Sequence, residues 1–355
     1  LIKLTMMGSV ADSSRRRKNS LANNANVGNF KLDGKLRMLA TTEVNSPILC
    51  CRYSFDGKYI AFGCSNGDIK IYYTQTYNHV YTLTPEDGKK LPVTCIRFRH
   101  NEGKELYILT ATYSSGYVRL WYVTSKQLGK EIKEDVELFC CDFNHNFSKF
   151  ATGGDDYKIR IYDVEKMSCL NMLSKGESFE RMDGHASRVF AVKYHPDNEH
   201  VLLSCGWDNT IQIWDDREGH AIRRIFGAHV CGDALDMDPM YYHVLTGSWR
   251  RDNSLQVWDF DSGRLIKNVP LQSQNSTEKM VCHLYCAKWA GTDYIACGGS
   301  DNNAMRIIEK SSIQTIGTLD GLNRGCYTLD YMEINNVPHV TCASGSNIFF
   351  MSLNV

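Results

Sequence analysis

Apolar and polar residues alternate along this chain in short runs, each closed by a cluster of turn-forming residues. The clearest run is Asp208-Asn209-Thr210-Ile211-Gln212-Ile213-Trp214-Asp215. It recurs as Asp252-Asn253-Ser254-Leu255-Gln256-Val257-Trp258-Asp259. Weaker copies begin at Asp156 and at Ser115. Alternation at period two marks a half-buried strand, and no stretch keeps a helical period. Aligned on their aromatic position, the copies give Tyr72, Trp121, Tyr162, Trp214, Trp258, Ile308 and Met351, separated by 49, 41, 52, 44, 50 and 43 positions. A four-stranded propeller blade repeats every roughly 40–45 residues. The shorter spacings are therefore bare blades and the longer ones carry loop insertions. The pattern predicts an all-β, seven-bladed β-propeller of four-stranded antiparallel blades.

The last copy, Asn347 to Met351, stops just before the end of the sequence, so its blade lacks an outer strand. The segment Lys35 to Thr41 is expected to supply it by pairing near Ile348 to Ser352. That would close the ring and remove two open sheet edges. Residues 31–355 thus read as one propeller domain. Residues 1–30, rich in Ser, Asn, Arg and Lys, read as a flexible basic tail. Two readings stand for its cluster from Arg15 to Ser20. It is a solvated tail, or it is a docking or nuclear-import segment in which phosphate on Ser20 cancels part of the charge.

Composition narrows the partners. Forty basic and forty acidic residues give zero net charge, so electrostatics offers no reason to expect nucleic acid or an anionic membrane. No apolar run approaches the ~18 residues of a membrane span. Residues 1–10 are mildly apolar, but the polar and basic residues after them carry no cleavage signal. An intracellular location is expected, whether cytoplasmic, nuclear or ciliary, which leaves the sequons at Asn146 and Asn275 unused. The fourteen cysteines, many on predicted strands (Cys50, Cys51, Cys95, Cys140, Cys141, Cys286, Cys297), read as small core hydrophobes. Cys282-His283 with Cys286 lacks a second pair at structural-zinc spacing. No metal or cofactor is expected.

The fourth copy has Gly184-His185 before its first strand, Ser204 in its second, Asp208 in the turn and Trp214-Asp215 ending its third. In these residues the chain resembles the WD-repeat family of β-propellers. The resemblance implies a hydrogen-bonded relay from Trp214 through Ser204 and His185 to Asp208, which satisfies the buried polar groups. In the fifth copy His229, Thr246, Asp252 and Trp258 take the same parts, with Ala228 after Gly227 and with Arg250-Arg251 lengthening the turn. The other five copies lack the Gly-His pair.

The resemblance also implies a partner-binding face at the channel mouth, built from two positions per blade. On the innermost strand these are Leu49, Thr94, Phe139, Phe190, Asp233, Tyr285 and Tyr327. Before the turn Asp they are Ser65, Ser114, Asp155, Trp207, Arg251 and Asp301. Aromatic faces beside carboxylates suit a cation. An Arg- or Lys-bearing peptide is therefore the expected ligand, with Phe139, Phe190, Asp233, Tyr285, Tyr327, Asp155, Trp207 and Arg251 as candidate contacts. The alternative is that the rings only fill the channel. Three loops share the surface: 175–183 with Phe179 and Met182, the Trp249-Arg250-Arg251 knuckle, and 272–279.

No catalytic residue is expected. His185 and His229 belong to the relay, and Asp156, Asp208 and Asp252 belong to turns. His243 and His283 have no paired base or nucleophile. Neither a glycine-rich phosphate loop nor a Gly-x-Ser-x-Gly elbow is present. The expectation is a monomeric, non-enzymatic scaffold that docks peptides or domains of partner proteins within a multiprotein complex. The alternatives are a structural component embedded in a polymer such as a ciliary axoneme, and a propeller enzyme with a channel active site.

Overall fold

Seven antiparallel sheets succeed one another along the chain, and each holds four strands of a blade. The computed structural model describes residues 30–86, 91–100, 107–176, 183–271 and 282–354. The cluster around Ser20, Phe179 and Met182, and the loop 272–279 lie outside the described residues. Blades 1 to 7 start from the innermost strands Ile48–Tyr53, Val93–Arg99, Leu138–Phe143, Val189–Tyr194, Leu235–Met237, His283–Ala290 and Cys326–Ile334. Each innermost strand packs against the next, and the seventh packs against the first, so the ring is closed.

Blade 4 shows how the sequence builds a blade. The strands Val201–Gly206 and Thr210–Asp215 are buried on both faces between neighbouring blades, and the outer strand Ala221–Phe226 is half exposed. The turn between the second and third strands needs one left-handed residue. Asn209 supplies it at φ 61, where blades 1 and 2 use Gly67 and Gly116. Asn enters this region more readily than other non-glycine residues.

The closing strand is Leu36–Glu43, which pairs antiparallel with Asn347–Leu353. The chain does more than the pattern implied. Lys31–Gly34 adds a fifth strand to the outer edge of blade 6, in register with residues 317–320. Gly34 makes the step between the two blades at φ +74, where a Cβ would lie 2.1 Å from the Ile316 carbonyl oxygen. One N-terminal segment thus covers the edges of two adjacent blades.

The channel is lined by charge. Every innermost strand carries one ionisable residue at the same register: Arg52, Arg97, Asp142, Lys193, Asp236, Lys288 and Asp330. Ion pairs join Arg97 to Asp142 at 3.1 Å, Lys193 to Asp236 at 3.1 Å and Lys288 to Asp330 at 2.8 Å. Each of these aspartates also accepts a backbone N–H of the following blade, from Tyr194, Trp289 and Tyr53. Signs cannot alternate all the way round a ring of seven. The like-charged neighbours are Arg52 and Arg97. Asp233, on blade 5 across the channel, bridges both, at 2.6 Å and 3.0 Å.

Candidate functional site

The innermost strands are bulged, and the bulges build the mouth. In blades 1, 2, 3, 4, 6 and 7 the register skips one residue: Leu49, Thr94, Phe139, Phe190, Tyr285 and Tyr327 respectively. A bulge leaves its extra residue unpaired and re-aims its side chain. In blade 5 the corresponding residue is Asp233, just ahead of the strand Leu235–Met237. The seven positions read from the repeats are thus equivalent in the structure.

Phe139 and Phe190 stack across blades 3 and 4 with centroids 4.9 Å apart and planes 9° apart. Trp207 lies 5.2 Å beyond Phe190, and His229 stacks on Trp207 at 6.4 Å. On the other side, Tyr285 and Tyr327 pair at 5.0 Å, and Trp249 meets His283 at 4.6 Å. An arc of rings therefore runs over blades 3 to 7, while blades 1 and 2 present Leu49, Ser65, Thr94 and Ser114. Phe190, between two rings, is only 9% exposed. Phe139, Trp207, Tyr285 and Tyr327 are half-buried, and Trp249 is exposed.

Two sequence assignments shift by geometry. In blade 5, Thr246 pairs with Gln256 as Ser204 pairs with Gln212 in blade 4, so Trp249 is the counterpart of Trp207. Arg251 lies two residues on, exposed in the lengthened turn. In blade 6 the counterpart is Ser300, and the neighbouring Asp301 bonds to His283 Nδ1.

The acids expected to receive a cation are engaged within the chain. Burial pushes the Asp233 carboxyl up, but the Arg97 and Arg52 guanidinium groups outweigh it and hold it down at about 2. Asp155 pairs with Arg188 Nε, and the Arg188 guanidinium lies 5.6 Å over the Trp207 ring. The acid-and-aromatic arrangement thus already holds a cation of this chain, and Asp233 is not a free acceptor. What blades 3, 4, 6 and 7 leave accessible at the mouth is chiefly aromatic, beside the small polar side chains of blades 1 and 2.

The relay of blade 4 is continuous. Trp214 Nε1 donates to Ser204 Oγ at 2.7 Å, Ser204 meets His185 Nε2 at 2.6 Å, and His185 Nδ1 meets Asp208 Oδ2 at 2.7 Å. Asp208 also accepts Ala186 N–H, and these bonds hold its carboxyl below the usual range despite its burial. Blade 5 departs from the expected relay. Trp258 bonds to Thr246 at 2.9 Å, but His229 Nδ1 bonds to Asn209 and its ring turns onto Trp207. The extra residue Ala228 displaces the histidine from the relay position. Asp252 keeps its place in the turn.

Elsewhere, His200, Asp215 and Asp216 bring ligand atoms within 4.8 Å of one another, but Lys149 Nζ lies 2.8 Å from Asp216 and supplies the cation there. All fourteen cysteines are free thiols, and Cys169 alone is exposed. Among the described residues no helix is long and apolar enough to cross a membrane.

Comparison with known proteins agrees with this geometry. A family model described as "WD domain, G-beta repeat" matches residues 130–163 and 176–215. One described as "Anaphase-promoting complex subunit 4 WD40 domain" matches residues 26–101. The nuclear distribution protein nudF of Aspergillus niger is 27% identical over 203 residues, 57% of this chain and 42% of that protein. The WD repeat-containing protein slp1 of Schizosaccharomyces pombe is 22% identical over 275 residues, 76% of this chain and 51% of that protein. The coronin-like protein crn1 of the same yeast is 33% identical over 110 residues, 31% of this chain and 18% of that protein. The chain spans about half or less of the length of these relatives. Seven four-stranded blades, the unbroken relay and these matches place the chain in the WD-repeat β-propeller family.

Proposed function

We propose that this protein is a non-enzymatic interaction scaffold that docks a segment of a partner protein on the mouth face of its propeller. One observation carries the reading. Six bulges and Asp233 turn one side chain per blade to the mouth, and four of these are aromatic. Aromatic anchors around a desolvated depression are what a binding hot spot requires. With Asp233 and Asp155 already paired, an apolar or aromatic side chain suits the mouth better than a lone cation. The relatives' names, nuclear distribution and coronin-like, fit a protein that works through partners. A photo-crosslinking residue in place of Trp249 is expected to capture a discrete partner in the native cell, and one in place of Lys166, in the turn after the third strand of blade 3, is not. Capture from Lys166 alone would contradict the assignment.

A second reading, a component held by its sides in a larger assembly, is favoured by exposed Leu170, Met172, Ile222 and Phe226 on the outer strands. The same crosslinker at Ile222 separates the two.

A further inference from the structure

The lengthened turn of blade 5 is braced from within. Arg250 is half-buried, and its guanidinium donates to the carbonyls of Gly227 and Asn253 and to Gln256 Oε1. All three acceptors are uncharged. On either side of this brace Trp249 and Arg251 are exposed. Trp249 meets His283 of blade 6 at 4.6 Å. The Arg251 guanidinium has no hydrogen-bond or ion-pair partner among the described residues.

A second arginine stands in the same state. Arg324, three residues before Tyr327, is exposed. Its side chain lies against Gly345, where a Cβ would come within 3.2 Å of Arg324 Cδ. Gly345 turns between Val337–Ser344 and Asn347–Leu353 of blade 7, so Arg324 is on the mouth face. Its guanidinium also has no partner among the described residues. The next residue, Gly325, sits against Ser300 of blade 6, its Cβ position 3.3 Å from Ser300 Cβ. In ring order Arg251 and Arg324 therefore bracket blade 6, whose Tyr285 pairs with Tyr327 at 5.0 Å. The carboxylates of this sector are engaged. Asp301 bonds to His283 Nδ1, and Asp252 also interacts within the chain. The other mouth arginine, Arg188, is paired with Asp155. The unpaired charge around blade 6 is thus positive.

We propose that this sector receives a partner segment in which an apolar or aromatic residue has Asp or Glu on both sides. The inference rests on the mouth reading above and names the chemistry of the partner. The central side chain packs on Trp249 and Tyr285, and the flanking carboxylates bond to Arg251 and Arg324. A guanidinium presents paired donors that match a carboxylate. The brace of Arg250 holds the turn in place before binding, which lowers the ordering cost. Two arginines from different blades suit two separate single charges better than one phosphate dianion. A basic segment, the ligand expected from the sequence, meets unpaired guanidinium groups here.

The test is fluorine NMR of the full chain with fluorotryptophan. The Trp249 signal, assigned by its loss in Trp249→Phe, is the reporter. Three blocked pentapeptides serve as probes: N-acetyl-Asp-Glu-Phe-Glu-Asp-amide, its version with Asn and Gln for the acids, and its version with Lys for the acids. The acidic peptide is expected to shift the Trp249 signal saturably. The neutral peptide is expected to bind about tenfold more weakly, the scale of two exposed ion pairs together, and the basic one more weakly still. Arg251→Gln/Arg324→Gln changes two exposed side chains and is expected to bring the acidic peptide down to the neutral one. Equal binding of the acidic and neutral peptides, or a preference that survives the double variant, overturns the inference and leaves mouth docking standing. No shift from the acidic peptide also overturns it, and affinity capture with a mouth variant then judges mouth docking by itself.

Discussion

The carboxylate of Asp233 lies 2.6 Å from the guanidinium of Arg52, which joins blade 5 to blade 1 across the channel. Its second oxygen holds Arg97 of blade 2 at 3.0 Å. In a ring of seven the junction of blades 1 and 2 stands opposite blade 5, so the one like-charged junction is neutralised from the far wall. Asp233→Asn leaves two guanidinium groups without their shared counter-charge. Denaturant unfolding is expected to show a loss of about 3 kcal/mol, the scale for removing one partner of a buried pair. An unchanged midpoint would mean the bridge contributes nothing.

The same bridge sets a pH dependence. The folded carboxyl is held at about 2, below the unfolded value of about 3.9. A depressed acid stabilises above its unfolded value and loses that contribution as pH falls toward its folded value. Stability of the wild type is therefore expected to fall more steeply than that of Asp233→Asn between about pH 4 and pH 2. Parallel curves would contradict the assignment.

The relay predicts an asymmetry between two histidines that look alike in sequence. His185→Ala orphans Ser204 and Asp208 and is expected to cost about 1–3 kcal/mol per group. His229→Ala removes a partly exposed bond to Asn209 and is expected to cost under about 1 kcal/mol. Melts in the reverse order would place the relay in the wrong blade.

Turn strain offers a change in the stabilising direction. After the third strand, the turns of blades 2, 5 and 6 hold Lys126, Gly263 and Ile313 at φ 59, 69 and 58. Lys126 is exposed, so Lys126→Gly is expected to stabilise by about 1 kcal/mol, the cost of a left-handed non-glycine residue. Ile313 packs on the core, and Ile313→Gly is expected to destabilise. Loss of stability in both variants would show that the lysine position is not strained.

The sequence carried the blade count, the closing strand and the seven mouth positions, because each follows from counting along an uninterrupted alternating strand. Two rim residues were misplaced, Asp301 by one position and Arg251, counted across an insertion, by two. Blade 5 has two more residues than blade 4 between its second-strand Thr246 and its turn Asp252, so counting back from the turn reached Arg251, while the strand register leads to Trp249. The engagement of Asp233 and Asp155 was not legible, since their arginine partners lie 181 positions and 33 positions away and only closure of the ring and of the blades brings them together. The channel charges did leave a signal. Each stands three residues after a mouth position, as Arg52 follows Leu49 and Asp330 follows Tyr327, a constant offset inside otherwise apolar strands. The fifth strand on blade 6 left none, because Lys31 to Gly34 is too short to show a period.

The central claim is that partners dock on the mouth face. Its most direct measurement is quantitative affinity capture from the native cell with Phe139→Ala/Tyr285→Ala, with Lys166→Glu as control and melting temperatures recorded alongside. Loss of two aromatic anchors is expected to lower recovery of the principal partner by about tenfold or more while the protein stays folded, and the control to recover it fully. Full recovery by the folded mouth variant would contradict the account and leave its rings as channel packing.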